Sequence, residues 1–457
     1  MNTAPEMKDL EAQFLDVHAA FAERQNTINP EMHKKYNTKR GLRNEDGTGV
    51  LIGLTEIGEV HGYVMDEGEK TPVEGRLSYR GIDVGELVEG FQKDHRFGFE
   101  EVVYLLLFGK LPTREALDSF QKLLGSRREL PQGFAEDMIL KAPSPDIMNK
   151  LARSTLASYS YDSNPEDLSV RNVLRQSIEL IARFPTMAAY GYQAKRHYYD
   201  GESLFIHAPS TELSTAENLL QMFRSDRSYT QLEAETLDLA LVLHAEHGGG
   251  NNSAFTIHVV SSAATDTYSA VAAAVGSLKG AKHGGANVKV IQMMEDIKQQ
   301  VKDWKDEDEL DRYLRRILRK EVGDRTGLIY GLGHAVYTLS DPRAVLLRMK
   351  AGDLAEKKGL SDEFGLYGLI EKLTPAIFRE EKRNQKFIGP NVDFFSGFVY
   401  RMLNIPIELY TPIFAVSRVA GWCAHRIEEV VSGGRIIRPA YKNVLGKVDY
   451  VPIAKRS

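Results

Sequence analysis

Residues 243–287 read LHAEHGGGNNSAFTIHVVSSAATDTYSAVAAAVGSLKGAKHGGAN, and this stretch restricts the chain to few folds. A histidine–glycine cluster stands at each end, HAEHGGGN at His244 to Asn251 and KHGGAN at Lys282 to Asn287. Between them lie Ser, Ala, Thr and Val, small and almost free of charge. Side chains of that size let neighbouring backbones approach closely, so a helix built of them belongs buried among other helices. Glycine runs interrupt a helix and expose the backbone groups at its end. The pattern predicts one rigid buried rod holding an imidazole at either end, which suits a site better than a surface.

The rest of the chain supplies helices to surround such a rod. Residues 1–45 are polar, with Leu10, Phe14, Val17 and Phe21 forming one helical stripe. The Gly-punctuated stretch 47–81, rich in Val, Ile and Tyr, is where short strands are expected. From Gly81 onward apolar residues recur at i, i+3 and i+4, with a turn at Gly109 to Pro112. No βαβ alternation and no repeat of fixed period interrupts this. Residues 288–325 form a charge-laden amphipathic run, read as a solvated helical pair. The predicted fold class is mainly α. A smaller helical domain, residues 288–390, is inserted between the two parts of a larger one, residues 1–287 and 391–457.

Totals remove several function classes. With 457 residues, 42% hydrophobic and 26% charged, the composition is that of an ordinary globular chain with room for a large core. A net charge of -5 argues against nucleic acid as the main partner. The single cysteine, Cys423, excludes an internal disulfide framework and a cysteine-only metal site, and fits a reducing cytoplasm. The first residues carry early acids and no basic-then-apolar order, so no secretory or transit signal is expected. Nor does any segment offer the roughly 18 uninterrupted apolar residues of a membrane span.

The residues able to carry chemistry are few. His334 stands in GLGH, where a turn entering a helix would offer free N–H groups to an anion. His283 precedes another expected helix, whose positive end favours a neutral imidazole that donates a hydrogen bond. With His247, these make three glycine-flanked histidines among twelve. Asp393, in PNVDFFSG, reads either as a base with a raised pKa or as a helix N-cap. Arg343, Arg418 and Arg438 interrupt otherwise tame stretches, and a guanidinium there calls for a carboxylate, either internal or a substrate's. A metal site built on His244, His247, His258 and His283 lacks HExxH and any acid at recognisable spacing, so no metal is expected. With no serine or cysteine nucleophile motif and no Walker sequence, the set suits proton abstraction beside a carbonyl, with arginines holding a substrate of two or more carboxylates.

HAEHGGGNNSAFT, LKG followed by HGGAN, GLGHAVY with DPRA, PNVDFFSG and PIFAVSRVAGW closely resemble the citrate synthase family, as do GRLSYRGIDVGEL and FEEVVYLLLFGKLP. The resemblance covers about residues 45–445. It implies a multi-helical homodimer whose large and small domains close over the substrates. It implies condensation of acetyl-CoA with oxaloacetate and water to citrate and coenzyme A, with no metal or permanently bound cofactor. Carried over, Asp393 takes a proton from the acetyl methyl group, His283 donates to the thioester oxygen, and His334 holds the oxaloacetate carbonyl. His247, Asn251, Arg343 and Arg418 bind oxaloacetate, and Arg438 reaches in from the partner subunit. Gly331, Leu332, Gly333 and Lys386 are the positions for coenzyme A. Two departures stand out: Ala281-Lys282 replaces the usual Pro-Leu, and Thr338 stands where a basic residue often meets a coenzyme A phosphate. The alternative within the family is 2-methylcitrate synthase, which uses propionyl-CoA; one methylene in an apolar pocket is worth only about 1–3 kcal/mol, so motifs do not separate the two.

Overall fold

The computed structural model describes residues 5–66, 69–334, 336–383 and 387–456. Residues 1–54 and 438–457 form one unit, and residues 55–437 another. The terminal unit carries helix α1 (Pro5–Gln25), a short α2 (Glu31–Lys35), and an extended C-terminal segment whose Lys442 ammonium lies 5.7 Å over the Tyr36 ring. Phe14, Val17 and Phe21 of α1 are exposed, so this part of the expected stripe faces solvent, and the Leu10 side chain lies outside the described residues.

The body opens with the described strands, where the Gly-punctuated stretch predicted them. Strand β1 (Gly58–Asp66) pairs antiparallel with β2 (Glu69–Tyr79), Gly58 opposite Tyr79 and Asp66 opposite Glu69, and β2 turns into β3 (Ile82–Asp83). Helices follow: α3 (Val84–Lys93), α4 (Phe99–Phe108), α5 (Arg114–Ser126), α6 (Ile147–Ser158), α7 (Val170–Asp200), α8 (Thr215–Phe223) and α9 (Gln231–His244). The small-residue stretch contributes α10 (Asn252–Ser261) and α11 (Thr267–Lys279). Then come α12 (Ala286–Gln300), α13 (Glu307–Leu318), α14 (Pro342–Lys357), α15 (Ser361–Lys382), α16 (Val392–Met402) and α17 (Tyr410–Ser432). No helix among the described residues is long and apolar enough to cross a membrane.

Helix α17 is the body's central rod. It is buried on all sides from Pro412 to Arg426 and packs on α4, α7, α9, α10 and α11. Its sequence explains this: Ala415, Ala420, Gly421 and Ala424 let neighbours close in, and a Cβ at Gly421 would stand 2.5 Å from the Ala245 carbonyl oxygen.

The expected single rod between the histidine clusters is a helical hairpin instead. Helices α10 and α11 pack on one another across a break at 262–266, where Ala264 takes φ +59 and the Asp266 carboxylate caps α11 by accepting from the Ser269 N–H (2.8 Å). A run of uniformly small residues has no apolar stripe to reveal its own interruption, and Asp266 is the one charged residue at the break. The hairpin matters for function, because it brings the two glycine-histidine ends together where a straight rod would hold them apart.

Candidate active site

Three loops meet where the hairpin closes. His247 lies in the turn after α9, His283 in the turn before α12, and His334 in the loop before α14. The His247 and His334 Nε2 atoms are 3.2 Å apart. Nδ1 of His334 accepts the backbone N–H groups of Val336 and Tyr337, both at 3.1 Å. An imidazole nitrogen that accepts two N–H bonds carries no proton, so the His334 proton sits on Nε2, the nitrogen facing His247. The helix expected directly after GLGH is absent from the described residues. Helix α14 begins only at Pro342, capped by Asp341, because Asp-Pro is the stronger start signal.

Burial, then the neighbouring Arg343, His334 and Arg418, hold His247 well below the usual histidine range. Burial and Arg418 bring His283 down to about 4. Both imidazoles are thus neutral at physiological pH. His283 Nε2 lies 3.1 Å from Ser253 Oγ, which also accepts the Trp422 indole N–H (3.0 Å). Asn251 is the N-cap residue of α10; its side chain makes no capping bond but accepts from the Ser253 hydroxyl (3.0 Å).

The two buried arginines differ. Arg343 is clamped by Asp341, its Nε at 3.0 Å and Nη2 at 2.7 Å from the two carboxylate oxygens. Arg418 spends only Nε, donating to the His244 carbonyl (2.6 Å); Nη1 and Nη2 are buried with no hydrogen-bond partner. Burial lowers Arg418 to about 10, still charged at neutral pH. A buried guanidinium with two unpaired nitrogens is costly, and a carboxylate from outside satisfies it. His244, one turn before His247, stacks on Phe414 with centroids 4.3 Å apart, both ring nitrogens unpaired.

Asp393 is not the cap of α16. That role belongs to Asn391, whose side chain accepts from the Asp393 N–H (3.0 Å) and donates to the Gly333 carbonyl (2.9 Å). Burial pushes the Asp393 carboxyl up to about 6, restrained by Arg343 and Arg418 and assisted by Asp341. Of the two readings of this residue, the structure removes the N-cap.

Gly331 and Gly333 take φ +79 and +93, and a Cβ on Gly331 would stand 2.8 Å from Phe394 and Val290 side-chain atoms. Leu332 bridges to Pro390, and Gly333 N–H donates to the Gly389 carbonyl (2.8 Å), so this loop is stitched to the segment leading into α16. Thr338 is buried rather than presented to a phosphate. Lys386 lies outside the described residues. Arg438 belongs to the terminal unit, where it is exposed, and is not among the residues the body assembles. Sequence reasoning missed Asp341, Ser253 and Trp422; only Asp341, two residues before Arg343, carried a local signal as a cap.

Known proteins match this chain along most of its length. The family model for the citrate synthase C-terminal domain matches residues 46–440. The citrate synthase of Haloferax volcanii is 34% identical over 423 residues, covering 92% of this chain and 99% of its own. The 2-methylcitrate synthase of Shewanella oneidensis is 32% identical over 380 residues, covering 83% and 90%. The citrate synthase of Thermoplasma acidophilum, solved as a ternary complex with carboxymethyl coenzyme A and oxaloacetate, superposes with a TM-score of 0.74 at 26% identity, covering 92% and 99%.

Proposed function

The chain belongs to the citrate synthase family, and on that premise we propose how its residues divide the condensation of acetyl-CoA with oxaloacetate and water. The enzyme is an acyltransferase that makes citrate and coenzyme A. The observation that carries the assignment of roles is the pairing of an unsatisfied, buried Arg418 with a buried Asp393 raised to about 6.

Oxaloacetate enters first, one carboxylate taken by the free Arg418 nitrogens and its remaining polar groups by Arg343, His247 and Asn251. Its ketone accepts from the His334 Nε2–H, the only protonated nitrogen that ring has. Asp393 then removes a methyl proton from the acetyl thioester. A carboxyl raised by burial is a stronger base than one in water, and becomes neutral as it acts. The oxygen of the nascent enol needs a donor that brings no extra charge. We assign that to His283, a neutral imidazole held in place by the Ser253 hydroxyl 3.1 Å from its Nε2. The enolate carbon attacks the ketone carbon as the ketone oxygen takes the His334 Nε2 proton; the proton held by Asp393 returns to His334, and water then cleaves the thioester C–S bond to give citrate and coenzyme A thiol.

Coenzyme A is assigned to the Gly331–Gly333 backbone with Lys386, and closure to movement of residues 288–390 as a small domain, which keeps water from the thioester until citryl-CoA forms. Arg438 supplies a further carboxylate contact from the partner subunit of a homodimer, which makes the dimer the working unit. The free, buried Cys423 is in keeping with a cytoplasmic enzyme. No metal or prosthetic group takes part.

Release of free coenzyme A thiol, measured with acetyl-CoA and with propionyl-CoA, each with and without oxaloacetate, tests the reading. Oxaloacetate-dependent turnover that prefers acetyl-CoA is expected. Preference for propionyl-CoA moves the assignment to 2-methylcitrate synthase, a name one relative carries. No turnover with either thioester from folded protein overturns it.

A further inference from the structure

Away from the substrate groups, α10 and α17 bring a second histidine cluster together. His258 Nε2 and His425 Nδ1 face one another at 3.0 Å, and Glu428 Oε2 stands 3.7 Å from the same His425 nitrogen. One ligand atom from each of the three residues falls within 4.8 Å of the other two. A zinc ion with bonds of 2.0–2.1 Å spaces tetrahedral ligands about 3.3 Å apart, so the 3.0 and 3.7 Å edges lie either side of the required one and the third, within 4.8 Å, closes on binding.

The outward faces of both rings are tied down. His258 Nδ1 lies 2.9 Å from Glu429 Oε2, and His425 Nε2 lies 3.1 Å from Glu246 Oε1. A carboxylate behind each imidazole fixes the ring and leaves the opposite nitrogen to bind, the arrangement usual behind metal-ligating histidines. Glu428 is oriented in the same way: Oε1 accepts the Glu56 N–H at 2.7 Å, while Oε2 is turned to His425 Nδ1, 3.7 Å away and beyond ordinary hydrogen-bond reach. Three carboxylates, Glu246, Glu428 and Glu429, surround two imidazoles. A proton shared between the rings balances one negative charge, whereas a dication balances two and satisfies Glu428 Oε2 as well. His258 and Glu428 keep 14% and 15% of their side-chain surface exposed, so an ion has a way in and a water can complete the shell.

We propose that His258, His425 and Glu428 form a divalent transition-metal site with a water as fourth ligand, zinc being the ion that suits two imidazoles and a carboxylate. The ion clips α10 to α17 and, through Glu246, steadies the turn that carries His247.

Chelator-treated full-length protein titrated with zinc chloride against a chromogenic chelator tests this. One zinc per chain is expected. His258→Ala and Glu428→Gln should each weaken binding at least tenfold, and Glu429→Gln, behind His258, by about tenfold. Zinc should raise the Tm of the wild type and not that of His258→Ala. Should a variant misfold, cobalt(II) loading of the wild type decides instead: intense visible bands of a four-coordinate ion support the site, and only weak octahedral bands overturn it. Absence of stoichiometric binding at micromolar zinc, or affinity unchanged in both ligand variants, also overturns it.

Discussion

Two buried aspartates, one at each end of the hairpin's reach, show what separates a site from a scaffold. Asp162 lies beside the outer end of α11, where its carboxylate accepts Arg175 (2.6 and 2.7 Å), Gln176 (2.8 Å), the Tyr268 hydroxyl (2.8 Å) and the Asn164 N–H (3.0 Å). Burial alone would raise it, but these donors hold it down to about 2. Asp393 sits at the inner end with none of its carboxylate hydrogen bonds made among the described residues, and burial lifts it to about 6. The arginines repeat the contrast: Arg343 is forked onto Asp341, while Arg418 keeps two nitrogens unpaired. The same side chains anchor the fold where they are satisfied, and where they are not we assign them to substrate.

Breaking the comparison at Asp393 has the largest expected effect. Asp393→Asn should lower kcat about 10²–10⁴-fold, the usual worth of a positioned base, read from coenzyme A release. The same variant should be more stable than wild type at neutral pH. A carboxyl raised from 3.8 to about 6 on folding costs stability above the folded pKa, a cost that fades as pH falls from about 6 toward 3.8. Removing it is worth up to about 3 kcal/mol in urea unfolding at pH 7, shrinking in acid.

Arg418→Gln leaves the site without its unpaired cation. The apparent affinity for oxaloacetate should fall by about 2–5 kcal/mol, tens to thousands of times, with the far-UV spectrum unchanged. An equal loss of kcat with KM untouched would place Arg418 outside substrate binding.

Asp162→Asn tests the satisfied end, and its sign is reversed. It should destabilise by about 1.5–3 kcal/mol at pH 7 and leave kcat within a factor of two or so. A carboxyl depressed from 3.8 to about 2 contributes stability above pH 3.8 that is lost as pH falls toward 2, so wild type and variant should converge in acid.

Asn391→Ala sharpens the comparison most finely. Losing the α16 cap should cost about 1 kcal/mol. Because Asn391 also donates to the Gly333 carbonyl, the variant should raise KM for acetyl-CoA more than for oxaloacetate.

Much of the site was legible in the chain. His247, His283, His334, Arg343, Arg418 and Asp393 each carry a local signature of glycines, a Pro-Asn cap or a lone charge among small residues, and the body brings all six together. The hairpin was not legible, because α10 and α11 are built of side chains too uniform to mark the turn at 262–266. The helix expected after His334 gave way to the stronger Asp341-Pro342 start. The partners that decide chemistry were hidden by distance along the chain: Ser253 lies 30 residues from His283, and His258 lies 167 from His425. No periodicity reports such pairs. The strands, the turn at Gly109 and the solvated pair α12–α13 were read correctly because each rests on local pattern alone.

The most direct test of the central claim is a carboxyl carbon NMR titration of aspartate-labelled protein, with the Asp393 resonance identified by its loss in Asp393→Asn. Asp393 should titrate near pH 6 while Asp162 stays ionised until about 2. An Asp393 carboxyl that titrates below pH 4 with ordinary carboxylates would remove the unpaired base and, with it, the distinction between the two ends of the hairpin.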